Sequence, residues 1–504
     1  MQITALGHSC VLLSFQSADT GETTRILVDP WLSDHAIGDA MGRFPRLRVD
    51  VADLAPVHAV YISHAHCDHL DPYTLTRLWR ELASPPVLLL PVSLSFLLPV
   101  LREHLDEPDI RLLAEHTPLA FRGLELIGFF DVGFDATNEE DVMVLVVTSG
   151  SERVLVEADA RLSLELPDFR AHISALMREP GITSAVYLTT ENELAGTLGG
   201  RTCATPEDRE ELMAAALDEL MASVHDLYAP TDDPLDLWQS DRLLRLVHGQ
   251  GLAAPPELDA RWQRILFPVR ISDRVETERA VAAHSGCRHH IDSLTVGCVH
   301  TITGGRIERV EPAPGLVLLD DEADRVYNAA LPFFPALPCA PLRADTRDRD
   351  AQRARVLSLL NERFLPYLHG LRQPPVLHLL SAYGGVYRIR VHHGHTADEQ
   401  ATDYVLRYGE RQFVACEPSE EEAQEAYWAN DLGDFLDGRC DEFTTFCRKQ
   451  FPVEEMRLWV CLSTPLLNSD LVARKVRLHF ERAGLGLEPG PWVMDLWRGA
   501  QPSA

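Results

Sequence analysis

Four side chains that can bind metal ions lie within a short segment of the sequence: His64, His66, Asp68 and His69. They directly follow residues 60–63, Val-Tyr-Ile-Ser, which are typical of the end of a buried strand. Where a strand turns into a loop, His64 and His66 can project to one side while Asp68 and His69 reach a neighbouring point. Imidazoles together with a carboxylate suit zinc, iron or manganese. The pattern therefore predicts a centre for two metal ions at a strand end.

Short strands separated by turns are predicted around this segment, with a helix over residues 72–82 immediately after it. Proline at position 72 is compatible with the first turn of a helix. Further strands are predicted within residues 293–310. The other predicted strands cover residues 3–15, 25–29, 59–63, 87–91, 124–130, 142–147 and 154–156.

The chain is long enough for more than one hydrophobic core. We expect a metal-binding catalytic domain over residues 1–330, with a helical insertion at about 164–280. The proline-rich stretch in residues 331–343 predicts a linker. Residues 344–504 are expected to form an additional α+β domain of unknown role, which folds separately or nearly so. Its helices are predicted near 350–369, 419–436 and 469–483, and its strands over 385–392 and 402–408.

Composition restricts the possible partners. The formal net charge is −30, from 46 basic and 76 acidic residues, and no basic patch stands out, so nucleic acid is not expected to bind. No apolar run is long enough for a membrane span, and the N-terminus does not resemble a signal peptide. The ten cysteines show no paired CxxC spacing, which favours reduced thiols. We expect a cytoplasmic protein with a small-molecule substrate; its oligomeric state is left open.

The segment from His64 to His69, with its strand before and helix after, resembles the HxHxDH signature of the metallo-β-lactamase superfamily. Gly7-His8-Ser9-Cys10 and Leu27-Val28-Asp29-Pro30 resemble the opening strands of that superfamily. The resemblance covers about residues 1–230 and implies an α/β fold, an αββα sandwich with metals at one edge. It also implies that Asp29 supports the metal loop without binding metal, and that His8 lies nearby with a structural role.

The same resemblance implies further ligands. Asp159, after the run Val154-Leu155-Val156, matches the carboxylate that bridges the two metals. A third histidine would be expected before it, but residues 117–158 contain none, so Asp131 or Asp135 is the expected replacement. For the last ligand we favour His225, whose surroundings are similar to a segment of the CMP-N-acetylneuraminate hydroxylases; His300 is the alternative.

Two reactions are consistent with this centre. A metal pair can lower the pKa of bound water and support hydrolysis of an ester, lactone, amide or phosphodiester. A pair of irons can instead activate dioxygen. The carboxylate in place of a histidine, similar to a diiron β-hydroxylase, favours the oxygenase, with iron before zinc or manganese and with Asp68 and Asp159 as catalytic residues. The spacing of Cys287, His290, Cys298 and His300 is too short for a Rieske cluster, so an external electron donor is expected. A non-catalytic metal-binding module is the remaining alternative.

Overall fold

Alternating side chains determine how the first sheet is buried. In the strand Cys10–Gln16, Val11 and Leu13 point to one face and Leu12 points to the other. Val11 and Leu13 pack between two large sheets, whereas Leu12 packs against an outer layer of helices. A strand that is apolar on both faces is stable only when both faces are covered. The alternation thus fixes this strand inside a layered structure.

The coordinates are a computed structural model, which describes a large part of the chain in several ranges. The described residues are 1–16, 20–35, 42–43, 45–130, 142–160, 167–191, 206–228, 237–249, 252–253, 269–318, 345–370, 375–394, 400–442, 445 and 457–487.

The first sheet has eight strands among the described residues. Its N-terminal strands are antiparallel, and Ala59–Tyr61 then pairs in parallel with Thr23–Val28. Across the sheet, the order is Arg306–Pro312, Cys298–Thr303, Gln2–Gly7, Cys10–Gln16, Thr23–Val28, Ala59–Tyr61, Val87–Pro91 and Ile110–Leu113.

The second sheet has seven strands in the described ranges. Three neighbouring strands, Glu152–Val156, Ser184–Glu191 and Leu243–Gly249, run parallel, so their carboxyl ends lie at one edge. Across the sheet, the order is His290–Ser293, Leu243–Gly249, Ser184–Glu191, Glu152–Val156, Met143–Ser149, Leu124–Phe130 and Leu119–Phe121. Two short pairs flank the sheets: Gly42–Arg43 with Leu252–Ala253, and Leu47–Val49 with Leu316–Leu318.

Helices cover both outer faces of the two sheets, which confirms the predicted αββα sandwich. Leu75 and Leu101 pack from helices on the outer face of the first sheet, and Ile173 and Val275 do so on the second. The α-helices are Pro72–Glu81, Leu98–His104, Pro167–Met177, Pro206–Leu227, Ile271–His284, Arg349–Leu359, Leu365–Gly370, Pro375–Ala382, Ala429–Leu436, Arg457–Leu462 and Ser469–Gly484. Among the described residues, no helix is long and apolar enough to cross a membrane.

The region 164–280 is less helical than the sequence pattern predicts. Three of the outer helices do lie in it, but the strands Ser184–Glu191 and Leu243–Gly249 separate them. Both strands are central to the second sheet and are buried on both faces, so their apolar runs lack the alternation that marks a strand. This region therefore completes the sandwich as well as adding helices.

The C-terminal part contains a four-stranded sheet of its own. In order, its strands are Val414–Cys416, Ala401–Arg407, Val386–His392 and Glu425–Trp428. The helix predicted over 419–436 begins only at Ala429, because Glu425–Trp428 instead pairs in parallel with Val386–His392. An α+β arrangement is thus present, as expected.

The helix Ser469–Gly484 connects the C-terminal part to the sandwich. Val472, Val476 and Phe480 belong to the buried cluster on the outer face of the first sheet, whereas Leu471 belongs to the C-terminal cluster. One helix thus contributes to two cores. The predicted linker 331–343 lies outside the described residues.

Candidate metal centre

The metal loop starts where the strand Ala59–Tyr61 ends, and Asp29 holds it in place. The backbone amide of Asp29 donates to the carbonyl of Tyr61 over 2.8 Å, and Asp29 Oδ1 accepts from the amide of Ser63 over 2.7 Å. Asp71 then caps the helix Pro72–Glu81 by accepting from the amide of Tyr73 over 3.0 Å. A parallel strand on one side and a capped helix on the other therefore fix both ends of the loop.

Hydrogen bonds assign the tautomer of His64. Ser63 Oγ lies 2.7 Å from Asp29 Oδ2 and 2.9 Å from His64 Nδ1. An ionised carboxylate can only accept, so the serine hydroxyl donates to Asp29 and its oxygen accepts from His64 Nδ1–H. This leaves a lone pair on His64 Nε2.

The ring of His66 is fixed in the same way by a distant part of the chain. His66 Nε2 lies 2.9 Å from the carbonyl oxygen of Ser463, which can only accept. The lone pair of His66 is therefore on Nδ1, 2.9 Å from His64 Nε2. Two lone pairs at this distance repel each other unless a proton or a metal cation lies with them. Burial, followed by His69 and His66, lowers the pKa of His64 well below its usual value, which disfavours the proton.

His69 faces Asp159 from the second sheet. Its Nδ1 donates to Asp29 Oδ2 over 2.9 Å, and its Nε2 lies 3.0 Å from Asp159 Oδ2. Asp159 follows the strand Glu152–Val156, and its Oδ2 is also 3.8 Å from His64 Nε2. The structure thus places the carboxylate of Asp159 within reach of two imidazoles.

Asp68 lies beside His69 and is bound to His8. His8 Nε2 lies 2.9 Å from Asp68 Oδ2, and Asp68 Oδ1 is buried with no hydrogen-bond partner among the described residues. A buried oxygen with negative charge and no partner is costly, and a cation would satisfy it. Two groups of converging donor atoms share His69: one adds His8 and Asp68, the other His64 and Asp159.

The electrostatics of the cluster favour a positive occupant. Burial opposes a charged imidazole, but Asp159, Asp29 and Asp68 raise the pKa of His69 well above its usual value. Burial also opposes charge on Asp68, yet His69 and His8 hold the pKa of this carboxyl well below its usual range. Burial likewise opposes charge on Asp159, but His69 holds the pKa of this carboxyl below its usual range. Three carboxylates around one imidazole form an environment in which a metal ion can replace a proton.

His248 reaches the same edge, although the sequence pattern did not indicate it. It lies at the end of the strand Leu243–Gly249, and its Nδ1 donates to the carbonyl of His8 over 2.9 Å. Its Nε2 is free of a close partner in the described residues except for Thr190 Oγ1 at 3.5 Å. Burial lowers the pKa of His248 to about 4, so the ring is neutral. The available signal was its place at the carboxyl end of an apolar run parallel to the strand before Asp159.

Two of the other predicted ligands are not brought together with this cluster. His225 is exposed in the last turn of the helix Pro206–Leu227. His300 is buried in the strand Cys298–Thr303, where its Nε2 accepts from the amide of Thr295 over 3.1 Å. Asp131 and Asp135 lie outside the described residues.

Backbone strain is concentrated beside the donors. His8, Asp29 and Ala158 have φ angles of 46°, 41° and 54°, in the left-handed region that non-glycine residues rarely adopt. Such residues cost on the order of 1–3 kcal/mol each and persist where the surroundings determine them. Each adjoins a hydrogen bond or donor described above, so the strain accompanies the assembly of the site.

Comparison with known proteins agrees with this geometry. Residues 24–218 match the model of the beta-lactamase superfamily domain. Among curated proteins, no match was found.

Two solved structures illustrate the fold similarity. CmlA, a diiron beta-hydroxylase from Streptomyces venezuelae, is 16% identical over 60% of this chain and 54% of its own, with a TM-score of 0.34. The metallo-beta-lactamase fold protein YhfI from Bacillus subtilis is 12% identical over 60% of this chain and 99% of its own, with a TM-score of 0.32. This chain thus spans about half the length of the Streptomyces protein. From the matched domain model and the sandwich with its histidine and aspartate cluster, we conclude that the chain contains a domain of the metallo-β-lactamase fold, whose clustered side chains could hold metal ions.

Proposed function

We propose that the chain is a binuclear metalloenzyme, and within that class a diiron oxygenase that acts on a small molecule or a carrier-bound metabolite. His64 and His66 would hold one cation, and Asp68, His69 and His248 the other. Asp159, whose Oδ2 lies 3.0 Å from His69 Nε2 and 3.8 Å from His64 Nε2, would serve both.

One observation carries the metal assignment. The lone pairs of His64 Nε2 and His66 Nδ1 face each other at 2.9 Å in a buried cluster, which requires a positive charge. Asp68 Oδ1, which has no hydrogen-bond partner among the described residues, is a second nearby atom that a metal cation could bind. These atoms fit transition-metal cations, because imidazole and carboxylate are their usual ligands.

The preference for iron and dioxygen rests on carboxylates. Residues 117–158 offer no histidine, so Asp131 or Asp135 is the proposed additional ligand. Met143, which follows these residues in the sequence, contacts the metal loop, since its amide donates to the carbonyl of Ser63 over 3.2 Å. An additional carboxylate makes the ligand set harder and stabilises more oxidised metal ions, which dioxygen chemistry requires and hydrolysis does not.

The iron pair would supply the activation of dioxygen, and the protein residues would bind, orient and shield the reactants. His64, His66, Asp68 and His69 are at most 6% exposed, which keeps bulk water from the centre. In a hydroxylation, one oxygen atom enters a C–H bond of the substrate and the other leaves as water. That balance takes two electrons and two protons, and we propose an external electron donor for the electrons.

Metal analysis of protein purified without added metal tests both the binuclear centre and the choice of iron. We expect about two irons per chain in the wild type, and loss of metal in His66→Ala and Asp68→Ala with most of the fold retained, because the sheets and not the metals supply the core. Asp106→Ala, at an exposed position, is the matched control and should retain both ions. Asp131→Ala and Asp135→Ala should identify the additional carboxylate by a loss of iron.

The outcomes separate the alternatives. Two zinc ions, with iron unable to support dioxygen consumption, would indicate the hydrolase. Full metal content in both His66→Ala and Asp68→Ala would refute the assigned centre. Loss of the whole fold in these variants would indicate a structural metal instead.

A further inference from the structure

The C-terminal part contacts two consecutive residues of the metal loop. His66 Nε2 donates to the carbonyl oxygen of Ser463 over 2.9 Å, and the thiol of Cys67 donates to Asp441 Oδ2 over 2.8 Å. All four residues are buried, with exposed fractions of 6%, 1%, 3% and 0% for His66, Cys67, Ser463 and Asp441. These contacts are therefore shielded from water, which would otherwise compete for them.

The carbonyl of Ser463 is held rigidly in place. The amide of Ser463 donates to the carbonyl of Trp459 over 2.9 Å as the helix Arg457–Leu462 ends. Asn468 Nδ2 then donates to the carbonyls of Cys461 and Thr464, over 2.7 and 3.0 Å. These bonds use the carbonyls on either side, and the carbonyl of Ser463 is directed to His66.

We propose that the C-terminal part is an integral component of the metal centre, and that the carbonyl of Ser463 is the positioning group that directs His66 Nδ1 to the metal. The inference rests on the proposed function, in which His66 is a ligand. A neutral imidazole carries one proton, so an acceptor at Nε2 leaves Nδ1 free for a cation. Asp441 contributes by holding Cys67, the next residue of the loop.

We therefore expect the C-terminal part to strengthen metal binding. Acceptors that orient a ligating histidine typically change metal affinity or activity by 10–100-fold when they are removed. A part that only bound substrate, or only covered the surface, would not alter the affinity of the folded protein for a metal ion alone.

The tautomer of His66 provides a test in the unaltered protein. In the zinc-loaded full chain with 15N-labelled histidine, long-range 1H–15N NMR should show the proton of His66 on Nε2 and zinc on Nδ1. A proton on Nδ1 would overturn the proposal, whichever metal the enzyme uses in its reaction. Zinc is the probe because it is diamagnetic.

Two sets of variants test the positioning contacts through zinc affinity, measured by competition with a chromophoric chelator. Asn468→Ala, which frees the turn around Ser463, should weaken zinc binding about 10–100-fold. Leu466→Ala, at an exposed position of the same turn, is the matched control and should bind as the wild type does. Cys67→Ala should also weaken binding, and Cys67→Ser, which keeps a donor for Asp441, should restore most of the loss.

Unchanged zinc affinity in a folded Asn468→Ala or Cys67→Ala variant would refute the positioning role. If Asn468→Ala does not fold, the Cys67 pair and the NMR measurement still decide the question. If these tests refute the positioning role but the wild type contains two irons, the proposed function remains intact. Native zinc together with the expected tautomer would instead refute the oxygenase and leave this inference intact.

Discussion

A neutral imidazole has one lone pair, so the group that accepts its proton decides which nitrogen can bind a metal. In this centre the acceptors come from very different places. Ser63 is the neighbour of His64, Asp29 orients His69 from the preceding strand, and the carbonyl of Ser463 serves His66. These three proposed ligands lie in one short segment, but the groups that orient them come from that segment, from an earlier strand end and from the C-terminal part.

Two histidine variants test whether His248 or His225 is the last ligand. We expect His248→Ala to lose about one of two metal ions, because its Nδ1 is held by the carbonyl of His8, whose side chain contacts Asp68. His225 is exposed, so His225→Ala should retain both ions. Metal content measured by mass spectrometry on the two variants gives the answer. The reverse result would return the role to His225.

The sequence indicated most of the proposed ligands but did not indicate His248. His64, His66, Asp68 and His69 have a spacing that is rare by chance, and Asp159 follows a recognisable strand. His248 stands alone between Val247 and Gly249, in a run that could equally be a buried strand or helix. Its role depends on sheet pairing, which local patterns do not contain.

At the scale of elements, the helix Ser469–Gly484 joins the C-terminal part to the sandwich. It packs against the helices Pro72–Glu81 and Leu98–His104 of the sandwich. On its buried side, His479 Nδ1 is hydrogen-bonded to the hydroxyl of Tyr73 over 2.8 Å. Burial, followed by Lys475 and Arg482, lowers the pKa of His479 to about 3.

This buried histidine predicts an acid dependence of stability. The unfolded chain binds a proton at His479 near pH 6.5, whereas the folded chain does so only near pH 3. The unfolded state therefore binds more protons between these values, so the contribution to stability is complete above about pH 6.5 and decreases as the pH falls toward 3. We expect the free energy of unfolding to lose up to about 1.4 kcal/mol per pH unit in this window from His479 alone.

Urea unfolding of the metal-free protein between pH 7 and pH 4 measures this slope. His479→Asn keeps an acceptor for Tyr73 but cannot be protonated, so its slope should be smaller than that of the wild type by up to this amount. His284→Asn, at an exposed position, should leave the slope unchanged. Equal slopes for His479→Asn and the wild type would contradict the prediction.

Predictions for elements were accurate where a strand or helix has a local pattern. The helix Pro72–Glu81 was expected from proline at the first turn, and a strand over residues 3–15 was expected from alternation. The structure divides that run into the antiparallel strands Gln2–Gly7 and Cys10–Gln16. Glu425–Trp428 was expected to be helical, because its acidic and aromatic residues continue into a true helix. It is a strand because Val386–His392 offers it a free edge, which is a tertiary effect.

At the scale of the whole molecule, the sandwich and the C-terminal part share a core. Val472, Val476 and Phe480 are buried with side chains of the first sheet, at exposed fractions of 8%, 1% and 2%. An interface of this kind does not separate easily, because separation would expose the apolar side chains of both parts to water. This shared core therefore argues against a C-terminal domain that folds separately.

Cleavage at an engineered protease site within residues 331–343 tests the connection. We expect the cut chain to elute as one particle in size-exclusion chromatography and to come apart only in denaturant. Val476→Asp, which places a charge in the shared core, should release the C-terminal fragment after the same cut. Two folded fragments that separate without denaturant in the unaltered sequence would establish independent domains.

The distance along the chain between His66 and Ser463 has a consequence for biosynthesis. The two residues are 397 positions apart. At about 5–20 residues per second, a ribosome needs roughly 20–80 s to reach Ser463 after it has made His66. Throughout that interval the nascent loop has its imidazoles but lacks the carbonyl that orients one of them. Metal captured at this stage would be bound by an incomplete centre, so the proposed choice between iron and competing cations would be made finally only after translation has passed Ser463.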